Sequence, residues 1–135
     1  MTDRASLDGS DAVHITVPAA PEQVAVLRAA AAVIASRLDF TLDDIDDLRI
    51  LIDEAASVLL MSGARNQLHC DIVAIDDSVS FTLRAQLPDG QRPDGQGFAW
   101  SILQALAHDV DATVQGDVHV VSVTRHRGPV LDRTI

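Results

Sequence analysis

Apolar residues in this chain recur with two different periods, and the order in which those periods alternate limits the available folds more than any single motif does. Val13, Ile15 and Val17 alternate and the run stops at Pro18, so Ala12–Val17 reads as a strand. Pro21 suits the first position of a helix, and Val24, Leu27, Ala31, Ile34 and Leu38 follow at helical spacing. Thr41 with Asp44 three residues on predicts a capping-box start for a second helix, with Asp in place of the preferred Glu or Gln. That helix carries Ile45, Leu48, Ile52, Ala55 and Leu59 and stops at Ser62-Gly63. Leu68–Ile75 and Val79–Leu87 read as strands joined through Asp76-Asp77-Ser78. Phe98–His108 reads as a third helix, and Ala112–Gln115 with Val118–Arg125 as a hairpin about Gly116-Asp117. The order β-α-α-β-β-α-β-β predicts an α+β two-layer sandwich: one antiparallel sheet of mixed strand order with three helices on one face. Ile15, Leu27, Ile34, Leu48, Ile52, Ile72, Phe81, Leu83, Ile102 and Val121 are its expected core.

A chain of 135 residues fits one such domain, expected over 12–127, with a solvated arm at 1–11 and a frayed tail at 128–135. No apolar run approaches the ~20 residues of a membrane span. The first residues have no apolar stretch of the secretory kind, so the expected location is the cytoplasm. The single cysteine, Cys70, permits no internal disulfide; its strand-like setting predicts a buried, inert thiol.

Charge narrows the function classes. There are 10 arginines and no lysine, against 20 acids of which only Glu22 and Glu54 are glutamates, for a formal net charge of −10. Nucleic acid and anionic membrane are disfavoured as partners, because both require basic patches; a basic protein suits the chain better. The missing lysine removes P-loop and Schiff-base chemistry. His14, His69, His108, His119 and His126 show no ligand spacing, so no metal site is expected.

Two stretches invite a functional reading. ILIDEAASVLL, residues 50–60, places Asp53 and Glu54 inside an otherwise apolar helical run, with Ser57 one turn further on and no histidine placed to complete a triad. The echo of Pro88-Asp-Gly-Gln91 in Pro93-Asp-Gly-Gln96, followed by Gly97-Phe98, is either a turn-rich connection or a phosphate-facing glycine loop before a helix. Core packing is the default for Phe40, Phe81 and Phe98, while Trp100 serves either packing or a partner.

The element order, the carboxylate in the second helix and the run from Gly95 to Val110 resemble the anti-sigma factor and serine-protein kinase family of the RsbW type. Its ATP-binding fold is shared with gyrase, heat-shock chaperones, histidine kinases and MutL. The resemblance covers about residues 12–126. It implies that Glu54 matches the family's general base, which activates a serine of a substrate protein, and that Asp89, Gly95, Gly97 and Phe98 match its nucleotide-binding segments. The family's metal-ligating asparagine falls on Val58, which has no oxygen donor for Mg²⁺. Little length remains between Pro88 and Gly97 for the family's ATP lid. Glu54 is therefore a vestigial base, a structural carboxylate, or an acid on the rim of a degenerate pocket.

The resemblance implies a sigma factor and a STAS-type anti-anti-sigma antagonist as partners, and a homodimer. No cofactor is expected; ATP with Mg²⁺ belongs to the alternative of an active kinase that phosphorylates its antagonist. A small-ligand-binding dimer with a closed apolar pocket is the second alternative. Between Asp39 and Glu54 stand seven carboxylates against one basic residue, Arg49. Charge at a helix N-terminus accounts for part of this run, and a basic partner would relieve the repulsion left over. The expected docking set is Asp39, Asp43, Asp44, Asp46 and Asp47, with Arg28 and Arg37 beside it.

Overall fold

The computed structural model describes residues 12–88 and 97–130. Its elements are β1 (Val13–Pro18), a 3₁₀ turn (Pro21–Gln23), α1 (Val24–Ser36), α2 (Leu42–Met61), β2 (Arg65–Ile75), β3 (Ser78–Gln86), α3 (Phe98–Leu106), β4 (Asp109–Gln115) and β5 (Val118–His126). The five strands form one sheet in the order β1-β2-β3-β5-β4. Every neighbouring pair is antiparallel, and the helices cover one face. This is the expected two-layer sandwich.

Period-2 alternation decides which side of each strand is inside. Leu68, Cys70, Ile72 and Ala74 of β2 are buried, as are Val79, Phe81, Leu83 and Ala85 of β3 and Val121 and Val123 of β5. Register aligns these sets, so that Phe81 lies opposite both Ile72 and Val123, and Leu83 opposite both Cys70 and Val121. The burial that hides Cys70 pushes its thiol up to about 12, as an inert core sulfur requires. On the other face, Ser80 meets Thr124 at 2.9 Å and Arg84 donates to Asp71 at 2.6 Å, giving a polar, open surface.

Leu27, Ile34, Leu48, Ile52, Ile72, Phe81, Leu83 and Val121 are buried, whereas Ile15 and Ile102 are half-buried. Ile15 sits on an edge strand, and α3 turns Leu103 rather than Ile102 inward. Several boundaries differ from expectation for tertiary reasons. Pro21 opens the 3₁₀ turn rather than the α-helix, which begins at Val24. The third helix ends at Leu106 instead of His108, because the His108 amide donates to the Thr124 carbonyl and the chain joins the sheet from Asp109. The α2 helix ends where Gly63 adopts a left-handed φ of +94°, with Gly63 and Ala64 amides donating to Leu60 and Leu59.

Candidate functional site at the two ends of one helix

At its N-terminal end, α2 begins with the expected capping box. Thr41 Oγ1 accepts the Asp44 amide at 3.1 Å, and the Asp44 carboxylate accepts the Thr41 amide at 3.3 Å. Asp44 has a second engagement that its spacing did not announce. Arg125, 2% exposed on the inward side of β5, donates to Asp44 Oδ1 at 3.0 Å and lies 3.1 Å from Asp47 Oδ2. The same guanidinium donates to the carbonyls of Leu106 (2.7 Å), Gly128 (3.0 Å) and His126 (3.2 Å), so the buried charge is paired and hydrogen-bonded. The Gly128 amide also donates to Asp44, at 3.2 Å, so the chain is tied down where the frayed tail was expected to begin. Burial raises the Asp44 pKa, but the hydrogen bonds from Gly128, Thr41 and Arg125 outweigh it and hold the carboxyl below its ordinary value.

Asp44 is therefore buried, not outward, and Asp47 is half-buried against Arg125 rather than water-facing. Both belong to an internal hub. Asp39, Asp43 and Asp46 are exposed, with Asp46 within 3.5 Å of Arg49. Arg37 is exposed just beyond α1, and Arg28 reaches across from α1 to Asp53 at 2.5 Å. Among the described residues, Arg28 is thus matched within the chain.

Further along α2, Glu54, Ser57, Val58 and Met61 line a cleft of about 420 Å³, closed on the other side by Gly97, Phe98 and Ala99 at the start of α3. Glu54 is half-buried and, among the described residues, makes no hydrogen bond or ion pair. It therefore does not act as a capping carboxylate. Burial, and after it the charge of Asp53, pushes its pKa up from the ordinary glutamate value. Val58, 4% exposed, presents only carbon where a cation would need oxygen. Phe98 is 81% exposed, which corrects the expectation that it packs in the core; Phe40 and Phe81 do, and Trp100 is half-buried against it. Gly97 is the N-cap residue of α3, with extended backbone. Asp89 and Gly95 lie outside the described residues.

Among the described residues, no group of three or more His, Cys, Asp or Glu is placed to hold a metal ion, and no helix is long and apolar enough to cross a membrane. No family model matches the chain.

Part of the chain is similar to bacterial serine-protein kinases.

It is 40% identical over 47 residues to the serine-protein kinase RsbW of Bacillus velezensis, covering 35% of this chain and 29% of that protein. Against RsbW of Bacillus subtilis the identity is 38% over 50 residues, 37% of this chain and 31% of the relative. Against RsbW of Bacillus cereus it is 30% over 81 residues, 51% of each. The chain spans about half the length, or less, of the curated relatives it matches.

Proposed function

We propose that this protein is an anti-sigma factor of RsbW type that holds a basic sigma factor by stoichiometric sequestration, as a homodimer, and is released by a STAS-type antagonist rather than by phosphoryl transfer. The observation that carries the reading is the outward acid of the α2 region: Asp39, Asp43 and Asp46 are exposed, on a chain of net charge −10. An acidic face speeds encounter with a basic partner and makes it salt-sensitive. The partial similarity to serine-protein kinases named RsbW supports the choice of partner class.

The active-kinase alternative takes its support from the same names. Against it, Mg²⁺ with a triphosphate fits the described cleft poorly. Val58 offers no ligand, no basic side chain lines the described walls, and the Glu54 carboxylate would face an anion. A general base with no metal-held phosphate to transfer has no reaction to assist, which makes Glu54 vestigial in that role.

Affinity capture from the native host with mass spectrometry should recover a sigma factor. Changing Asp43→Asn and Asp46→Asn together should weaken that complex by about tenfold at moderate salt, mainly through slower association, and leave the fold intact. Unchanged affinity and salt slope would return these acids to the role of solvated helix-end charges. A thermal shift with Mg-ATP, or labelled phosphate entering an antagonist serine and lost in Glu54→Gln, would favour the kinase.

A further inference from the structure

The acids of α2 are not equivalent. Asp44 and Asp47 face Arg125, Asp53 faces Arg28 and Asp46 lies near Arg49; Asp43 is unmatched but exposed to water, whereas Glu54 is both half-buried and without such a match among the described residues. Its surroundings are unusual too. Met61 and Phe98, 85% and 81% exposed, flank the cleft above buried Val58. Large side chains left this open beside a carboxylate favour a guest that brings both apolar bulk and positive charge.

The fixed dipoles do not reverse that preference. The α3 N-terminus at Gly97 contributes roughly +0.5 of a charge and the C-terminal turn of α2 roughly −0.5, so the full charge of Glu54 dominates. An anion is repelled and a cation is attracted.

We propose that this cleft receives an arginine side chain of a protein partner, its guanidinium paired with Glu54 and stacked on Phe98, its methylenes against Met61. Arginine fits better than lysine, because a planar guanidinium meets a carboxylate through two parallel hydrogen bonds while lying on an aromatic face. A protein is the source because the cleft continues the outward face: Asp43, Asp46, Ile50, Glu54, Ser57 and Met61 fall within about 100° of arc on α2, all exposed or half-exposed. One ligand surface laid along the helix covers the acids and the cleft together. This inference rests on the reading of a basic protein partner and adds a named anchor residue, an arginine, to it.

The test uses the whole ¹⁵N-labelled chain and two pentapeptides, acetyl-Ala-Leu-Arg-Leu-Ala-amide and its citrulline counterpart, which keeps the shape and removes the charge. Arginine-peptide shifts should concentrate on Glu54, Ser57, Met61 and Phe98. Affinity should drop about tenfold for citrulline, for Glu54→Gln and for Phe98→Ala, each at a site whose change leaves the core untouched. Asp43→Asn with Asp46→Asn should change it less than about twofold, since rim charges act at longer range. Equal binding of the citrulline peptide, shifts centred on Asp43 and Asp46, or no binding at millimolar peptide overturns the cleft assignment. The anti-sigma reading stands or falls separately, on capture of the sigma factor by the intact chain.

Discussion

The two ends of α2 treat the same chemical group in opposite ways. At the N-terminal end the Asp44 carboxylate is buried and surrounded by donors, from Thr41, Gly128 and Arg125, and its pKa lies below the ordinary value. Near the C-terminal end the Glu54 carboxylate is half-buried with no described donor, and its pKa lies above. Burial pushes both upward; donors outweigh it at Asp44, while at Glu54 no described donor offsets it and the charge of Asp53 adds to it. A carboxylate that the fold has satisfied is architecture, and one left short of partners is available to something outside the chain.

The largest expected effect comes from breaking the satisfied end. Arg125→Leu leaves Asp44 buried without its cation, so urea unfolding should show a loss of about 3–5 kcal/mol. A loss below about 1 kcal/mol would mean that water replaces the arginine and that this end is not locked. Acid should act on the same group. With its folded pKa below the reference 3.8, Asp44 stabilises fully above that value, and its contribution is lost as pH falls through the lower folded pKa. Melting curves taken between neutral pH and about pH 2 should therefore fall more steeply for the parent than for Arg125→Leu.

A smaller effect isolates the capping box from the arginine. Thr41→Ala removes one acceptor from the helix end and should cost about 1 kcal/mol, with Arg125 still in place. If Thr41→Ala and Arg125→Leu add without interaction, the cap and the buried pair are separate devices that happen to share Asp44.

The smallest effect, and the one of opposite sign, belongs to the other end. Because the folded pKa of Glu54 is raised, the unfolded chain ionises first, and stability declines as pH rises from below 4.5 through the folded value. Glu54→Gln should remove that decline and leave the protein slightly more stable at neutral pH, as differential scanning calorimetry would register. A destabilised variant would show that Glu54 has a structural partner and would erase the contrast between the ends.

Much of this arrangement is written locally and some of it is not. Thr41 and Asp44 are three residues apart, so the start of α2 could be read from the sequence, as could the alternation that buries Leu68, Cys70, Ile72 and Ala74. The role of Arg125 depends on a partner 81 residues away. The one local hint was its phase, since it continues the inward series of His119, Val121 and Val123 at a position where an arginine needs an acid. The start of β4 was hidden because Asp109 and Asp111, poor strand formers, alternate with Val110 and Ala112. Phe98 misled for the opposite reason: nothing local distinguishes a phenylalanine left open at a cleft from one in the core.

The 81-residue separation between Asp44 and Arg125 also orders events in time. The α2 cap can form from its own residues within the first turns of the helix, but the cation that neutralises its acids arrives on β5, after the other strands. Until then the N-terminal end of α2 carries unmatched charge, and long-range contacts of this kind are slow to close. During synthesis the acids would be presented first without Arg125, repelling one another and open to any passing basic surface. Completion of the last strand thus converts part of a diffuse acidic region into fixed structure, and only a chain folded through to β5 displays the outward acids in their final setting.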